Sequence, residues 1–204
     1  MKAADFGEAL RRRAAVTPSV ALSDAVVDGL FRYVELLRRW NSRINLTSLP
    51  LDPLADETID RLLIEPLCVA AQLEEIDGRW FDLGSGGGSP AIPIKVALPR
   101  LRLVMVESRE RKAAFLREAV RELRLKNSSV LNMRFEALQA DPSLASTADL
   151  VTVRAVKVDP DLIALCEFLL HSGGLLVMLG YKGEPVPGFE VTPKAGFFRR
   201  VCST

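Results

Sequence analysis

Trp80-Phe81-Asp82-Leu83-Gly84-Ser85-Gly86-Gly87-Gly88-Ser89-Pro90 joins a short apolar run to a glycine-rich turn. Trp80, Phe81 and Leu83 are the apolar positions of a strand, and Asp82 sits at its carboxyl end. A helix is expected from about Pro90 to Leu98. Strand, glycine turn and helix in that order open a βαβ unit, whose parallel strands need a crossover helix between them.

The pattern continues downstream. Leu101 to Val106 reads as the next strand and is followed at once by Glu107. A helix from Glu110 to about Leu125, strands near Val130–Met133 and Leu150–Val153, a helix from Pro160 to about Leu170 and a strand from Gly174 to Leu179 complete the alternation. Such alternation predicts a mostly parallel sheet with helices on both faces. After Lys182 a proline-bearing loop leads to a last strand near Phe197–Val201. Upstream, Val26, Val27, Leu30, Phe31, Val34 and Leu37 recur at helical spacing, and Ser23 or Asp24 can cap that helix. Pro53 to Leu73 is a second helical stretch, in which Pro66 is expected to break or kink the helix. The chain therefore divides into an N-terminal helical extension, residues 1–75, packed on a core of residues 76–204.

Composition narrows the chemistry. With 27 Lys plus Arg against 26 Asp plus Glu, the net charge of +1 gives no global argument for a nucleic-acid partner. That average conceals basic helices alternating with an acidic stretch from Asp52 to Asp77. The single histidine, His171, excludes zinc sites built on several histidines and reads as the C-terminal residue of a helix. Cys68, Cys166 and Cys202 are scattered and odd in number, so a disulfide framework or a CxxC metal pair is not expected. No signal-peptide pattern or membrane-length apolar run stands in the sequence, and the expected location is cytoplasmic.

In an open parallel sheet, ligands bind at the carboxyl ends of the strands. The glycine loop lies at such an end, and Glu107 ends the next strand, where a carboxylate can accept hydrogen bonds from a ribose. A dinucleotide fingerprint would place a small glycine at position 89, which is Ser89. Glycines at 84, 86 and 88, preceded by Asp82, look instead like motif I of the S-adenosylmethionine-dependent methyltransferases. Asp82 is suited to the ammonium of that cofactor, directly or through water. The expected fold is then the Rossmann-like class I form of these enzymes.

The acceptor is narrowed by exclusion. Val151-Thr152-Val153-Arg154-Ala155-Val156 stands where an exocyclic-amine methyltransferase carries an Asn/Asp-Pro-Pro-aromatic segment. No cysteine follows a proline, as a pyrimidine-C5 nucleophile usually does. Guanine N7 fits what remains, because its lone pair attacks without deprotonation. Arg154, at a strand end beside the loop, could bond guanine O6 or fix base and cofactor together. Another RNA, a small molecule, or ligand binding without turnover remain open on these residues alone.

Trp40-Asn41-Ser42-Arg43-Ile44-Asn45-Leu46-Thr47-Ser48 resembles the WN-x-x-x-NLTS signature of the glucose-inhibited division protein B family. Asp82 to Pro93, Glu107-Ser108 with Arg111-Lys112 and Phe115-Leu116, Arg134-Phe135-Glu136, and Val153-Arg154-Ala155 resemble further segments of that family in order. The resemblance implies methylation of guanine N7 in 16S ribosomal RNA, free or within the small subunit or an assembly intermediate, with no metal and no membrane. It also implies that Asp82, Gly84, Gly86, Gly88, Ser89 and Glu107 hold S-adenosyl-L-methionine, with Phe135 and Glu136 on the adenine side. Arg154 is then the catalytic-pocket residue and also touches the cofactor. The sequence departs from the family at Leu62 (histidine there), Glu65 (aspartate), Ser89 (Leu or Phe) and Ala91 (glycine), and Lys182 is displaced. For RNA phosphates the candidates are Arg38, Arg39 and Arg43, and the helix bearing Arg109, Arg111, Lys112, Arg117, Arg121 and Arg124.

Overall fold

The computed structural model describes residues 2–17, 20, 22–181, 183, 185–193 and 196–201. Strands β1 (Arg79–Leu83), β2 (Arg102–Val106), β3 (Ser128–Leu131), β4 (Ala148–Arg154), β5 (Leu170–Leu179), β6 (Phe189–Val191) and β7 (Phe197–Arg200) form one sheet. Their order is β3-β2-β1-β4-β5-β7-β6. The first five strands are parallel to one another, and β7 is antiparallel to β5 and β6. This is the mostly parallel Rossmann-like α/β sheet read from the alternation. The short β6 lies in the stretch read as loop, because three residues among prolines and a glycine carry too little periodicity to mark a strand.

Register positions the site. Leu83 lies beside Val106 of β2 on one flank and Val153 of β4 on the other. Gly84, Glu107 and Arg154 therefore leave the sheet at one level, although they are far apart in sequence. Strand order reverses at β1, so the crevice above β1 and β4 is the position at which such sheets bind ligands.

Each strand alternates its side chains between two apolar layers. Trp80, Leu103, Met105, Leu150 and Val177 join one cluster. Phe81, Val106, Val151, Val153, Leu176 and Met178 join the other, with helix α7 (Pro160–Leu169). The first cluster also takes in helices α1 (Ala3–Ala15), α2 (Asp24–Asn41), α4 (Glu65–Gln72), α5 (Ala91–Ala97) and α6 (Glu110–Glu122). The extension thus shares its core with the sheet.

Helix α1 was not expected from the sequence, yet Phe6, Leu10 and Ala14 recur every four residues and are buried. The run Arg11-Arg12-Arg13 pairs with Asp24 at 2.6 Å, Asp56 at 2.7 Å and Asp60 at 2.5 Å. Basic and acidic segments thus neutralise each other within the chain. Phe6 is fully buried with its ring 5.5 Å from that of Phe31. Phe6→Ala is expected to cost about 3–5 kcal/mol of unfolding free energy, measured by chemical denaturation.

Ser23 caps α2, its hydroxyl accepting from the Val26 N–H at 3.3 Å. The second helical stretch is not broken at Pro66. A short helix α3 (Asp56–Ile59) passes through a π-turn (Asp60–Ile64) into α4. The Glu65 N–H donates to Asp60 O, five residues back, and Pro66 has no N–H to offer Leu62. The carbonyls of Arg61 and Leu62 are thereby released for partners outside the helix.

His171 is not at a helix terminus. Helix α7 ends at Leu169, and extended backbone at Leu170 already begins β5, which contains His171. A register shift between Ala148 and Leu150 accommodates this early start. The His171 Nε2 lies 3.3 Å from Asp149 Oδ1. Cys166 is buried and Cys68 half-buried, both as free thiols, while Cys202 and Lys182 lie outside the described residues. No helix among the described residues is long and apolar enough to cross a membrane, and none of their His, Cys, Asp and Glu groups could hold a metal ion.

Candidate active site

Above the carboxyl ends of β1 and β4 lies a cavity of about 360 Å3. Gly84, Ser85, Gly86, Gly87 and Ser89 form its floor, and Glu107, Arg109 and Lys112 one wall. The other walls are Leu46 to Leu49 from the segment after α2, and Arg61, Leu62, Arg154 and Ala155. Its size suits a nucleoside-sized ligand.

Glu107 shapes the floor. It is only 7% exposed, and its two carboxylate oxygens accept from the N–H groups of Gly86 at 2.9 Å and Arg109 at 2.8 Å. The remaining lone pair of each oxygen is available to hydroxyl donors. Asn132 fixes the same corner, its amide donating to the carbonyl of Glu107 at 2.9 Å. Gly86 has φ +53°, in the left-handed region where a side chain is strained. At Gly87 a Cβ would meet the Leu46 carbonyl at 2.9 Å, so the loop and the N-terminal segment touch backbone to backbone. Tyr33 of α2 donates its hydroxyl to Gly87 O at 2.7 Å, and burial raises its pKa.

Beneath the loop, Trp80 Nε1 donates to Thr152 Oγ1 at 2.8 Å, and Thr152 donates to Asp82 Oδ1 at 2.5 Å. Asp82 Oδ2 is buried with no hydrogen-bond partner. Burial pushes the Asp82 carboxyl up to about 6, against the lowering pull of the Thr152 hydroxyl. The folded carboxyl thus titrates near 6 and the unfolded one near 3.8, and folding takes up a proton between those values. The ionised group opposes folding fully above pH 6, and that penalty disappears below about pH 4. The stability of Asp82→Asn relative to wild type should therefore be about 2 kcal/mol more favourable near pH 7.5 than near pH 4, since the unpaired amide hydrogens cost the same at both. Denaturation curves of the two proteins at both pH values measure that change.

Arg154 is held by three acceptors. It donates to the released carbonyl of Arg61 at 2.6 Å, to Ser89 Oγ at 3.1 Å and to Glu65 Oε2 at 2.8 Å. Ser89 in turn donates to the released Leu62 carbonyl at 3.0 Å. The π-turn and Pro66 are the local reason that this network exists. Burial lowers the Arg154 pKa, opposed by the Glu65 carboxylate. Ala155 follows with φ +53°, a strained value for a residue with a side chain.

The cavity wall thus unites Gly84, Gly86, Ser89, Glu107 and Arg154. Asp82 lies behind the floor, and Gly88 turns toward Ile92 of α5. Phe135 and Glu136 stand outside the wall on a short 3-10 turn, Glu136 exposed and 3.3 Å from Arg134. Arg61, Leu62, Arg109 and Lys112 are wall residues that the sequence reading did not assign to the site. The WN-x-x-x-NLTS segment was a signal for the Leu46–Leu49 wall: Asn41 Oδ1 accepts from Leu46 and Thr47 N–H at 2.8 and 3.0 Å and folds that segment over the loop.

Two further depressions adjoin. One of about 330 Å3 shares Arg61, Arg154 and Ala155 with the first. Another of about 420 Å3 is lined by Arg43, Ile44, Asn45, Arg109, Glu110, Arg111 and Lys112, four of them cationic. The basic candidates separate accordingly. Arg38 pairs with Glu35 and Asp52, Arg39 with Glu122, and Arg121 with Glu118. Arg43, Arg109, Arg111 and Lys112 gather at the cavity mouth.

The family described as rRNA small subunit methyltransferase G, GidB, matches residues 27–187. Three relatives carry the name ribosomal RNA small subunit methyltransferase G. That of Stenotrophomonas maltophilia is 41% identical over 81% of this chain and 73% of its own. That of Syntrophus aciditrophicus is 33% identical over 93% and 79%, and that of Acetivibrio thermocellus 30% identical over 86% and 71%. Among solved structures, the Escherichia coli protein yhhF superposes with a TM-score of 0.54 at 16% identity, over 69% of this chain and 86% of that one, a likeness of fold.

Proposed function

The chain belongs to the rRNA small subunit methyltransferase G (GidB) family, and from that premise we propose that it methylates N7 of a guanine in 16S ribosomal RNA in the cytoplasm. S-Adenosyl-L-methionine supplies a sulfonium methyl group that a nucleophile takes without prior activation. The residues present fit this cofactor: the cavity is of nucleoside size, Glu107 offers free lone pairs at its wall, and a buried carboxylate oxygen without a partner lies beneath the loop.

In this reading Glu107 accepts the ribose hydroxyls, and Gly84, Gly86 and Ser89 line the bed of the amino-acid end. Gly88 sets the loop against α5. Asp82 acts from behind the floor, offering negative charge to the ammonium, and Phe135 and Glu136 border the adenine. Arg154 orients the acceptor through guanine O6 and also meets the cofactor. The N7 lone pair forms the new bond to carbon, the carbon–sulfur bond breaks, and its electron pair stays on sulfur. No proton moves, so no protein base is required. Arg43, Arg109, Arg111 and Lys112 hold RNA phosphates beside the mouth.

The observation that carries the proposal is the meeting of Glu107, the glycine loop and Arg154 around one cavity. Labelled cofactor, supplied with unmodified 30S subunits, protein-free 16S RNA and small-molecule pools, tests it. Label recovered as 7-methylguanosine from 16S RNA is expected. Label at another atom, in another RNA or in a small molecule overturns it.

A further inference from the structure

The depression beside the cofactor cavity is bounded by Arg61, Glu65 and Arg154 on its polar side and by Val156, Met178 and Tyr181 on its apolar side. Arg154 lies in the walls of both cavities. Resting on the function proposed above, we propose that this second cavity receives the acceptor guanine and that Glu65 selects guanine by accepting from its N1–H and N2 amino group.

The chemistry of the rim is the argument. Guanine presents along one side an amino group at N2, a hydrogen at N1, an oxygen at O6 and a lone pair at N7, in that order. A carboxylate beside a guanidinium complements the first three: the carboxylate takes the two donors and the guanidinium gives to O6. Glu65 and Arg154 are such a pair, 2.8 Å apart through Oε2 of Glu65. Oε1 makes no hydrogen bond among the described residues, and half of the Glu65 side chain is exposed. With O6 on Arg154 and N1 on Glu65, N7 falls on the far side of O6 from Glu65, toward the cofactor cavity that shares Arg154.

The apolar side suits the faces of a base taken out of its stack. Tyr181 is steadied by an edge contact with Phe198, ring centroids 5.9 Å apart. Adenine would set an unprotonated N1 against Glu65, acceptor against acceptor. Rejection of that kind is large because a polar group is left unpaired.

Glu65 also holds Arg154, so a slow variant alone would not separate reading the base from positioning the arginine. The discriminating substrate is 16S RNA in which inosine, lacking only the N2 amino group, replaces the mapped target guanosine. Wild-type protein should prefer guanosine by about tenfold in kcat/KM, the factor equivalent to 1.4 kcal/mol. Glu65→Ala should slow both substrates and bring their ratio close to one. A variant that slows both and preserves the wild-type ratio would falsify the base-reading role, as would a wild type that does not discriminate. Val158→Trp supplies an independent arm. Val158 lines the same cavity and is 36% exposed, so the larger side chain is accommodated by the fold. Methylation should fall at least about tenfold with cofactor Kd unchanged, and an unchanged rate overturns the assignment of the cavity. Absence of 7-methylguanosine from wild-type reactions would instead remove the underlying function, and the proposal with it.

Discussion

Arg154→Ala is expected to lower kcat for methyl transfer by about a hundredfold or more, the scale found when a preorganised donor is removed from an active site. Its side chain is only 16% exposed, and its guanidinium is fixed by the Arg61 carbonyl, the Ser89 hydroxyl and the Glu65 carboxylate. Such a donor needs no reorganisation as charge develops on the base. Arg154→Lys should recover little, because a single ammonium cannot reach three acceptors set around a planar fork. The truncation also strands the Arg61 carbonyl, which the π-turn and Pro66 have already deprived of a helical donor. Arg61 is exposed, so water can take the place of the lost donor, and a stability loss of about 1 kcal/mol or less should accompany it. Rates measured at saturating RNA and cofactor, beside denaturation curves, separate the two effects. An Arg154→Ala protein that turns over at the wild-type rate removes this residue from the chemistry.

The parts of this site that were legible in the sequence are those set by strand ends. Gly84, Glu107 and Arg154 each follow an apolar run of strand period, and parallel register brings such positions level. The depth of Asp82 was not legible. Its carboxylate turns to Thr152 of the neighbouring strand at 2.5 Å, and the Ser85 hydroxyl turns back to its carbonyl at 3.0 Å, tertiary and turn contacts that no strand period marks. Nor was the role of Pro66. Its sequence signature is that of a helix break, and only the π-turn shows how the helix continues and what the released carbonyls then hold. Phe135 and Glu136 stand in a short motif, and the 3-10 turn that carries them lies outside the cavity wall.

Charge shows the same division between local and tertiary information. Counting gives a net charge of +1. Pairing decides which cations remain for a partner, and pairing is tertiary. Arg12 finds Asp56 and Arg39 finds Glu122 across long stretches of chain. The cations left at the cavity mouth, Arg43, Arg109, Arg111 and Lys112, come from two segments that the Asn41-capped turn brings together. Exposed ion pairs of this kind contribute little stability each, so their main effect is to subtract charge from the surface.

Glu107→Gln should weaken cofactor binding by about a hundred- to a thousandfold, equivalent to about 3–4 kcal/mol. The change is isosteric, yet it cannot satisfy the site. One carboxylate oxygen accepts from Gly86 N–H and the other from Arg109 N–H. Whichever way the new amide is turned, its NH2 group meets one of those N–H donors, and a buried donor is left without an acceptor at about 1–3 kcal/mol. The loop that carries Gly86 then loses the contact that sets its floor, and the ribose hydroxyls proposed to bind here would exchange a charged acceptor for a neutral one. Asn132→Ala is the graded comparison. It removes a brace on the Glu107 carbonyl and leaves the carboxylate in place, so a loss of about tenfold or less is expected. Calorimetric titration with S-adenosyl-L-methionine measures both variants. A Glu107→Gln protein that binds within about threefold of wild type would show that the cofactor does not depend on this carboxylate, since a single charge-assisted hydrogen bond already exceeds that difference.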